Sequence, residues 1–203
     1  MIAIITGDLV GSQNMSPEIW MKVLKSELDS WGKSPHTWEL YRGDSFQLKI
    51  QNISQAMEAG IQLKAALKSI SPLDVRMSIG LGEENYKAEK ILESNGTAYV
   101  HSGEGFEALE KSKQNILIKS PSASFDREIN MMLKLGLKIM DRWTATSAKM
   151  IYLAMQHPKK TQKQLGKLEN ISQHAVSARL SRADFDVIQE FQNYFLYRIK
   201  TLQ

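Results

Sequence analysis

The order of apolar patterns in residues 2–82 limits the possible folds more strongly than any other feature of the chain. Residues 2–6 form a continuous apolar run rich in β-branched side chains, which is typical of a strand buried on both faces. Residues 74–82 alternate apolar and polar side chains, as a strand with one covered face does. Between these two strands, the patterns predict a helix, two short strands joined at Gly43-Asp44, and a second helix. These four segments are residues 16–31, 37–42, 45–51 and 53–70.

The resulting order is strand, helix, strand, strand, helix, strand. It predicts an α+β fold with the ferredoxin-like βαββαβ arrangement, in which both helices cover one face of an antiparallel sheet. Beyond this unit, residues 97–102 and 115–120 are predicted to be short edge strands around a helix at 103–112. Residues 123–141 are predicted to form a helix that leads out of the domain.

The rest of the chain has helical patterns only. A helix that ends before Pro158 is followed by two short helices, capped by Thr161 and Ser172 and separated by the tight turn "ENIS". An amphipathic helix completes the pattern, which predicts an all-α helix-turn-helix unit. We therefore expect a palm-type domain at 1–121, a connecting helix at 122–141 and a helix-turn-helix domain at 142–203.

The composition limits the cellular compartment in which the chain is expected. The 203 residues include no Cys, so neither disulfides nor thiolate metal ligands are available, and a reducing compartment is the natural environment. No apolar run approaches the roughly 20 residues that span a bilayer. The N-terminus has no basic segment of the kind that begins a signal peptide. We expect a cytoplasmic protein with no membrane partner.

The positive charge of the chain is unevenly distributed. Residues 1–139 contain 16 Lys and Arg against 17 Asp and Glu, whereas residues 140–203 contain 10 against 5. The C-terminal segment therefore supplies all of the net charge of +4. A basic segment of this kind is typical of a unit that binds a polyanion, and it is equally compatible with an ordinary solvated surface.

Two apolar runs end in Gly-Asp, at Asp8 and Asp44. In a βαββαβ unit, the hairpin between strands two and three lies at the same edge of the sheet as the C-terminal end of strand one. Two neighbouring carboxylates repel each other, and a hard cation such as Mg²⁺ or Mn²⁺ resolves the repulsion. Gly-Asp is also ordinary turn chemistry, which would explain either aspartate alone. For both together at one edge, we favour a shared metal.

These residues also carry a resemblance. The segments "AIITGDLVGS" and "LYRGDSFQL" resemble the metal-binding strand and the Gly-Asp hairpin of class III nucleotidyl cyclases, and "VRMSIGLGE" is similar to the strand that follows there and in GGDEF and polymerase palm domains. Together with "SNGTAYVHSGEGF" and the C-terminal helices, they are similar to the SatD family of bacterial proteins. The resemblance extends over almost the whole chain and implies a palm-like domain joined to the DNA-binding module of a regulator.

The resemblance implies a set of binding residues and also shows two departures. The metal ligands would be Asp8, Leu9 through its backbone, and Asp44. The nucleotide would contact Gly11, Ser12, Arg42 and Gly43. However, "SGEGFEALEKSK" lacks the Asn and Arg that active cyclases usually carry, and Leu40 stands where a polar side chain would read the purine. We therefore expect a nucleotide binder, or a catalyst of another kind, in place of a working cyclase.

The helix-turn-helix pattern predicts a surface for duplex DNA at residues 161–182. At 100° per residue, Val176 and Leu180 face inward, so the polar residues of the second helix face outward. The residues expected to contact bases or phosphates are Lys163, His174, Ser177, Arg179, Ser181 and Arg182. The alternative is a three-helix unit that serves only for packing or dimerisation.

Three functions follow from these patterns. The first is a DNA-binding transcriptional regulator whose degenerate cyclase-like domain senses a nucleotide in a metal-dependent way. The second is an enzyme that makes or breaks a phosphoester with metals held by Asp8 and Asp44. The third is a scaffold that neither binds DNA nor catalyses a reaction. For the first two we expect a homodimer, because palm-type cyclases and helix-turn-helix regulators usually work in pairs.

Overall fold

The computed structural model describes residues 1–202, which form an α+β protein with a five-stranded mixed sheet. The strands are β1 (Ile2–Val10), β2 (Trp38–Tyr41), β3 (Ser45–Ile50), β4 (Asp74–Gly82) and β5 (Ile116–Lys119). Their order across the sheet is β2-β3-β1-β4-β5. All neighbours are antiparallel except β4 and β5, which are parallel. Since β3 lies between β1 and β2 and is antiparallel to both, β1 and β2 run in the same direction, as predicted.

Eight α-helices accompany the sheet in the described residues. They are α1 (Pro17–Trp31), α2 (Ala56–Lys68), α3 (Thr97–Ser112), α4 (Ala123–Met140), α5 (Ala145–Gln156), α6 (Gln162–Leu168), α7 (Gln173–Arg182) and α8 (Phe185–Ile199). The α+β class is therefore confirmed. Within residues 1–202, none of these helices has the length and apolar character needed to cross a membrane.

Two predicted elements differ from the structure. Residues 97–102 were expected to form an edge strand but form the first turns of α3. These turns pack directly on β4, where Gly80 and Gly82 have no side chains to keep the helix at a distance. Strand β1 also continues to Val10 instead of ending at residue 6, because its backbone stays paired with β4 through Val10. Asp8 therefore lies within the strand and not after it.

One face of the sheet, together with helices α1 and α2, forms the main hydrophobic core. The apolar side chains of β4 that alternate along the strand, Val75, Met77, Ile79 and Leu81, are all fully buried in this core. Helix α2 is buried on nearly all sides, with eleven of its thirteen residues inaccessible to solvent. The same core includes Ile151 of α5 and Phe195 of α8, so it continues from the sheet into the C-terminal helices.

A cluster of charges fixes α2 where the sheet meets the C-terminal helices. Lys64 is completely buried, and its Nζ lies 2.9 Å from Asp74 Oδ1 and 2.7 Å from Asp141 Oδ1. Lys68 also contacts Asp74, at 3.1 Å, and donates to the backbone carbonyl of Asp141 at 3.0 Å. These contacts join α2, the first residue of β4 and the C-terminal end of α4. Because a buried ammonium needs charged partners, α2 can occupy this position only while Asp74 and Asp141 lie next to Lys64.

The opposite face of the sheet is covered by α3 at unusually short range. A Cβ added to Gly80 would lie 2.2 Å from the backbone nitrogen of Ser102 and 2.3 Å from the carbonyl oxygen of Ala98. Both atoms belong to the helix backbone and cannot rotate away. By contrast, Gly103 lies on the outer side of the same helix, and an added Cβ there would meet nothing within 4 Å.

We expect Gly80→Ala and Gly103→Ala to have opposite effects on stability. Gly80→Ala should lower the free energy of unfolding by about 1–3 kcal/mol because it forces α3 away from β4. Gly103→Ala should raise it by about 0.5–1 kcal/mol because alanine is the better helix former. Chemical denaturation of the two variants measures both effects. Equal stability of the two variants would contradict the close packing of α3 on the sheet.

Helices α4 and α8 are joined by a hydrogen-bonded ion pair. Both carboxylate oxygens of Glu128 accept from the Arg198 guanidinium, at 2.8 Å each, and the Tyr194 hydroxyl donates to the same carboxylate. The hydrogen bonds from Arg198, and then from Tyr194, lower the pKa of Glu128 from 4.5 to about 2. The helices therefore run side by side in opposite directions, with the start of α4 beside the end of α8.

The lowered pKa predicts a pH-dependent contribution to stability. A carboxylate whose folded pKa is lowered stabilises the protein fully above its unfolded pKa of 4.5, and this stabilisation is lost as the pH falls toward 2. We expect Glu128→Gln to be less stable than wild type near neutral pH, with the difference shrinking below 4.5. NMR titration of the side-chain carboxyl should give a midpoint near 2 in wild type. In Arg198→Met the midpoint should rise, and an unchanged midpoint would contradict the pairing.

Candidate functional site

The structure brings the predicted aspartates to the same edge of the sheet. Asp8 pairs in register with Ser45, the residue directly after Asp44. The backbone nitrogen of Leu9 donates to the backbone oxygen of Asp44 at 3.3 Å, while the Leu9 side chain is buried in the core. Asp44 lies in the turn between β2 and β3, as predicted.

The predicted nucleotide contacts surround this point. Gly11 and Gly43 have φ values of 86° and 87°, in the left-handed region that glycine adopts without strain, and exposed Arg42 has a φ of 49°. The hydroxyl of Ser12, which is buried, donates a short hydrogen bond to Asp44 Oδ2. Asp44 is therefore held by the turn that follows β1, which fixes the tip of the hairpin to the end of the first strand.

Asp8 has a partner that the sequence reasoning missed. The guanidinium of Arg76 on β4 forms a two-pronged ion pair with it, with Nε 3.1 Å from Oδ1 and Nη2 2.6 Å from Oδ2. These hydrogen bonds raise the pKa of Arg76, although its partial burial opposes the change. The guanidinium carbon also lies 5.4 Å from the centre of the Phe106 ring on α3, a cation–π distance. Arg76 thus connects the first strand to α3.

The Asp8 carboxylate also acts on a neighbouring phenol. Burial raises the pKa of Tyr41, the last residue of β2, and the negative charge of Asp8 adds to this rise while Arg42 opposes it. The phenol is therefore neutral in the folded protein over the physiological range. Tyr41, Asp8 and Arg42 together give this edge of the sheet a hydrogen-bonding surface of mixed charge.

Both predicted metal-binding aspartates have hydrogen-bond partners within the protein. Both oxygens of Asp8 already accept hydrogen bonds from Arg76, and one oxygen of Asp44 accepts from Ser12. A cation shared by the two aspartates would have to use the remaining lone pairs of Asp8 beside the guanidinium, or displace it. In residues 1–202, no group of three or more His, Cys, Asp or Glu side chains is placed to hold a metal. Binding of Mg²⁺ or Mn²⁺ at this edge therefore stays a prediction from sequence.

The sheet face under α3 carries a polar network beside a small apolar cluster of Ile2, Ile4, Ile91 and Ala98. Gln47 donates to Thr6 Oγ1 at 3.4 Å, and Thr6 donates to Ser102 Oγ on α3 at 3.0 Å. Nearby, buried Lys49 lies 2.9 Å from Glu84, which also accepts from the Tyr99 hydroxyl at 2.6 Å. Burial alone would raise the pKa of Glu84, but the hydrogen bonds from Tyr99 and Lys49 outweigh it and leave that pKa lowered.

The C-terminal helices place most of the predicted DNA-binding residues at the surface. Helices α5, α6 and α7 share a small core of Met150, Leu165 and Val176. The side chains of Thr161 and Ser172 cap α6 and α7, and Thr161 forms a capping box with Gln164. Lys163, His174, Ser177, Ser181 and Arg182 are exposed, and Arg179 is half-buried.

The turn between α6 and α7 is tight because the backbone of Ile171 packs directly against Gly166, which has no side chain. The Ile171 nitrogen donates to the carbonyl oxygen of Gly166 at 2.9 Å, and a Cβ on Gly166 would lie 2.6 Å from Ile171 O. Asn170 takes the left-handed conformation in this turn, with a φ of 53°. The two helices are therefore held at a fixed angle by their short connection.

Two of the predicted residues also line a groove. Ser177 and Ser181 form part of a cleft of about 470 Å³ beside α7, together with residues of α2, α5, α6 and α8. The opposite wall includes Glu58 of α2, whose pKa is raised by burial. His174 and Arg182 do not line this cleft, and both are exposed.

The comparisons with known proteins identify no relative. No protein-family model matches the chain, and no curated protein matches it significantly in sequence. The resemblance to the SatD family and to class III nucleotidyl cyclases therefore stays a prediction.

We expect the Asp8–Arg76 pair to be a structural interaction. Asp8→Asn and Arg76→Met should each lower the free energy of unfolding, and a double-mutant cycle should give a coupling of about 1–3 kcal/mol. Both side chains are less than a third exposed, at 21% and 32%, so solvent weakens the pair only partly. The exposed Asp29–Lys33 pair is a matched control, with an expected coupling of about 0–1 kcal/mol. If Mn²⁺ raised the wild-type Tm and Asp8→Asn removed the rise, Asp8 would be a metal ligand after all.

Proposed function

We propose that this protein is a DNA-binding regulator in which α6 and α7 form a helix-turn-helix and α7 enters the major groove. The observation that carries the proposal is the charge of these two helices. Their residues include four cations and no Asp or Glu, and within residues 1–202 none of the four makes an ion pair. The cations are Lys163, Lys167, Arg179 and Arg182. Unpaired cations on two neighbouring helices suit the phosphates of duplex DNA.

The sheet half is proposed to be a palm-like, ferredoxin-like domain that regulates this unit. The order β2-β3-β1-β4 and the position of α1 and α2 on one face support that assignment, and α3, β5 and α4 are additions to it. The edge formed by Gly11, Ser12, Arg42 and Gly43 is the proposed nucleotide contact. We propose binding without catalysis, because both oxygens of Asp8 accept hydrogen bonds from Arg76 and "SGEGFEALEKSK" lacks the Asn and Arg that active cyclases usually carry.

The DNA-binding proposal predicts different effects for different cations of the full-length protein. Arg182→Ala should relax the choice of sequence, at a cost of about 1–3 kcal/mol if Arg182 reads a guanine. Lys163→Ala should weaken binding to all sequences alike and lower the slope of log K against log salt by about 1. Fluorescence anisotropy with genomic fragments, at several salt concentrations, measures both quantities.

Arg127→Ala is the matched control, since Arg127 is an exposed cation on α4, outside the proposed binding unit. It should leave affinity and salt slope unchanged. The proposal fails if the folded wild-type protein does not bind duplex DNA even at low salt. It also fails if Arg127→Ala reduces affinity as much as Arg182→Ala does.

A further inference from the structure

Helices α4 and α8 present an exposed apolar surface, here called the α4–α8 face. Five large hydrophobic residues on it are more than a third exposed: Met131 58%, Leu135 65%, Val187 45%, Tyr194 37% and Tyr197 67%. Between the helices lies a groove of about 390 Å³ with an almost wholly apolar lining that includes Met132, Gly136 and Phe191. A contiguous apolar surface of this kind is a mark of an interaction site.

Charges of opposite sign flank this face. Exposed Lys134 and Lys138 lie on α4, one turn apart, and exposed Asp186 and Glu190 lie one turn apart on α8. None of the four forms an ion pair within residues 1–202. At 100° per residue, the lysines lie beyond Leu135 and Met131 on the side of α4 away from the groove. On α8, Asp186 lies beyond Val187, and Glu190 is one of the residues that line the groove. The apolar face therefore has one basic border and one acidic border.

The register of the two helices places these charges at matching heights. Ile188 Cδ1 lies 4.0 Å from the point that a Cβ on Gly136 would occupy, so residues 136 and 188 are level. The Glu128–Arg198 pair shows that the helices are antiparallel. In this antiparallel register, the residue two positions before Gly136 is level with the residue two positions after Ile188. Lys134 and Glu190 therefore lie at the same height along the helices. By the same rule, Lys138 is level with Asp186.

We propose that the α4–α8 face binds a second copy of this chain in a two-fold symmetric dimer. A two-fold axis parallel to the helices places α4 of one copy over α8 of the other and keeps each residue at its own height. Lys134 then meets Glu190 of the second copy, and Lys138 meets its Asp186, while the apolar strips cover each other. The face is thus self-complementary in both charge and hydrophobicity, as an isologous interface requires. The proposal does not depend on DNA binding.

Charge reversal tests the pairing directly. Lys134→Glu should place two acids opposite each other, and Glu190→Lys should place two cations opposite each other. Each single variant should raise the dimer dissociation constant by on the order of tenfold, since every pair occurs twice in a symmetric dimer. The double variant Lys134→Glu with Glu190→Lys restores opposite charges and should recover the wild-type constant within a few fold. Sedimentation velocity over a concentration series gives the constants.

The apolar contribution has its own test and control. Leu135→Glu should make the protein monomeric, whereas Ile19→Glu, at an exposed position on α1, should leave the dimer intact. Circular dichroism checks that each variant is folded. A wild-type protein that is monomeric at all concentrations overturns the proposal. So does a dimer that is unaffected by Leu135→Glu, or one that the double charge exchange fails to restore, because such a dimer uses another surface or another pairing.

Discussion

The structure depends on the burial of helix α2. A helix that is apolar on nearly all sides is stable in water only when neighbours cover its whole circumference. Strands β1 and β4 cover one side of α2, α1 covers a second, and α5 and α8 cover the rest. Without the C-terminal helices, the side of α2 that includes buried Gln62, which accepts from Gln156 of α5 at 3.3 Å, would face water. The two halves therefore share one core, although the sequence divides them near residue 141, and we expect neither half to be fully stable alone.

The shared core gives the sheet half a physical route to the helices that carry the proposed DNA surface. Lys64 reaches Asp74 on the sheet and Asp141 before α5, so a shift of α2 would break a buried charge contact or move α5 with it. On another side, buried Glu27 of α1 accepts from Trp31. Burial raises the pKa of Tyr152 of α5, and the nearby charge of Glu27 raises it further. Burial raises the pKa of Glu27 itself, so this contact also prefers one arrangement. Because these contacts are closely packed, a movement of α1 or α2 would also move α5, and with it α7.

The sequence predicted elements well where a local pattern determines them. The alternation in residues 74–82 gave the bounds of β4, and Thr161 and Ser172 cap α6 and α7 because capping depends on only three or four residues. The errors arose where tertiary contacts decide. Residues 97–102 have strand-like composition, but the glycines of β4 admit a helix there. The partner of Asp8 was missed because the alternation only assigns Arg76 to the polar face of β4 and does not show which residue it contacts. The antiparallel register of β1 and β4 would have placed the two opposite each other.

That missed residue changes the chemistry expected at the Gly-Asp edge. A carboxylate at the end of a buried strand needs a positive partner, and the same aspartate can take a metal ion or a guanidinium. A metal needs exchangeable positions for substrate oxygens, whereas Arg76 fills both carboxylate oxygens and is itself held by Phe106. The pair therefore satisfies the charge of Asp8 within the protein and ties β1 to β4 and α3. Besides this pair, the edge has the turn at Gly11 and the exposed Arg42 of the hairpin, which suit an anion.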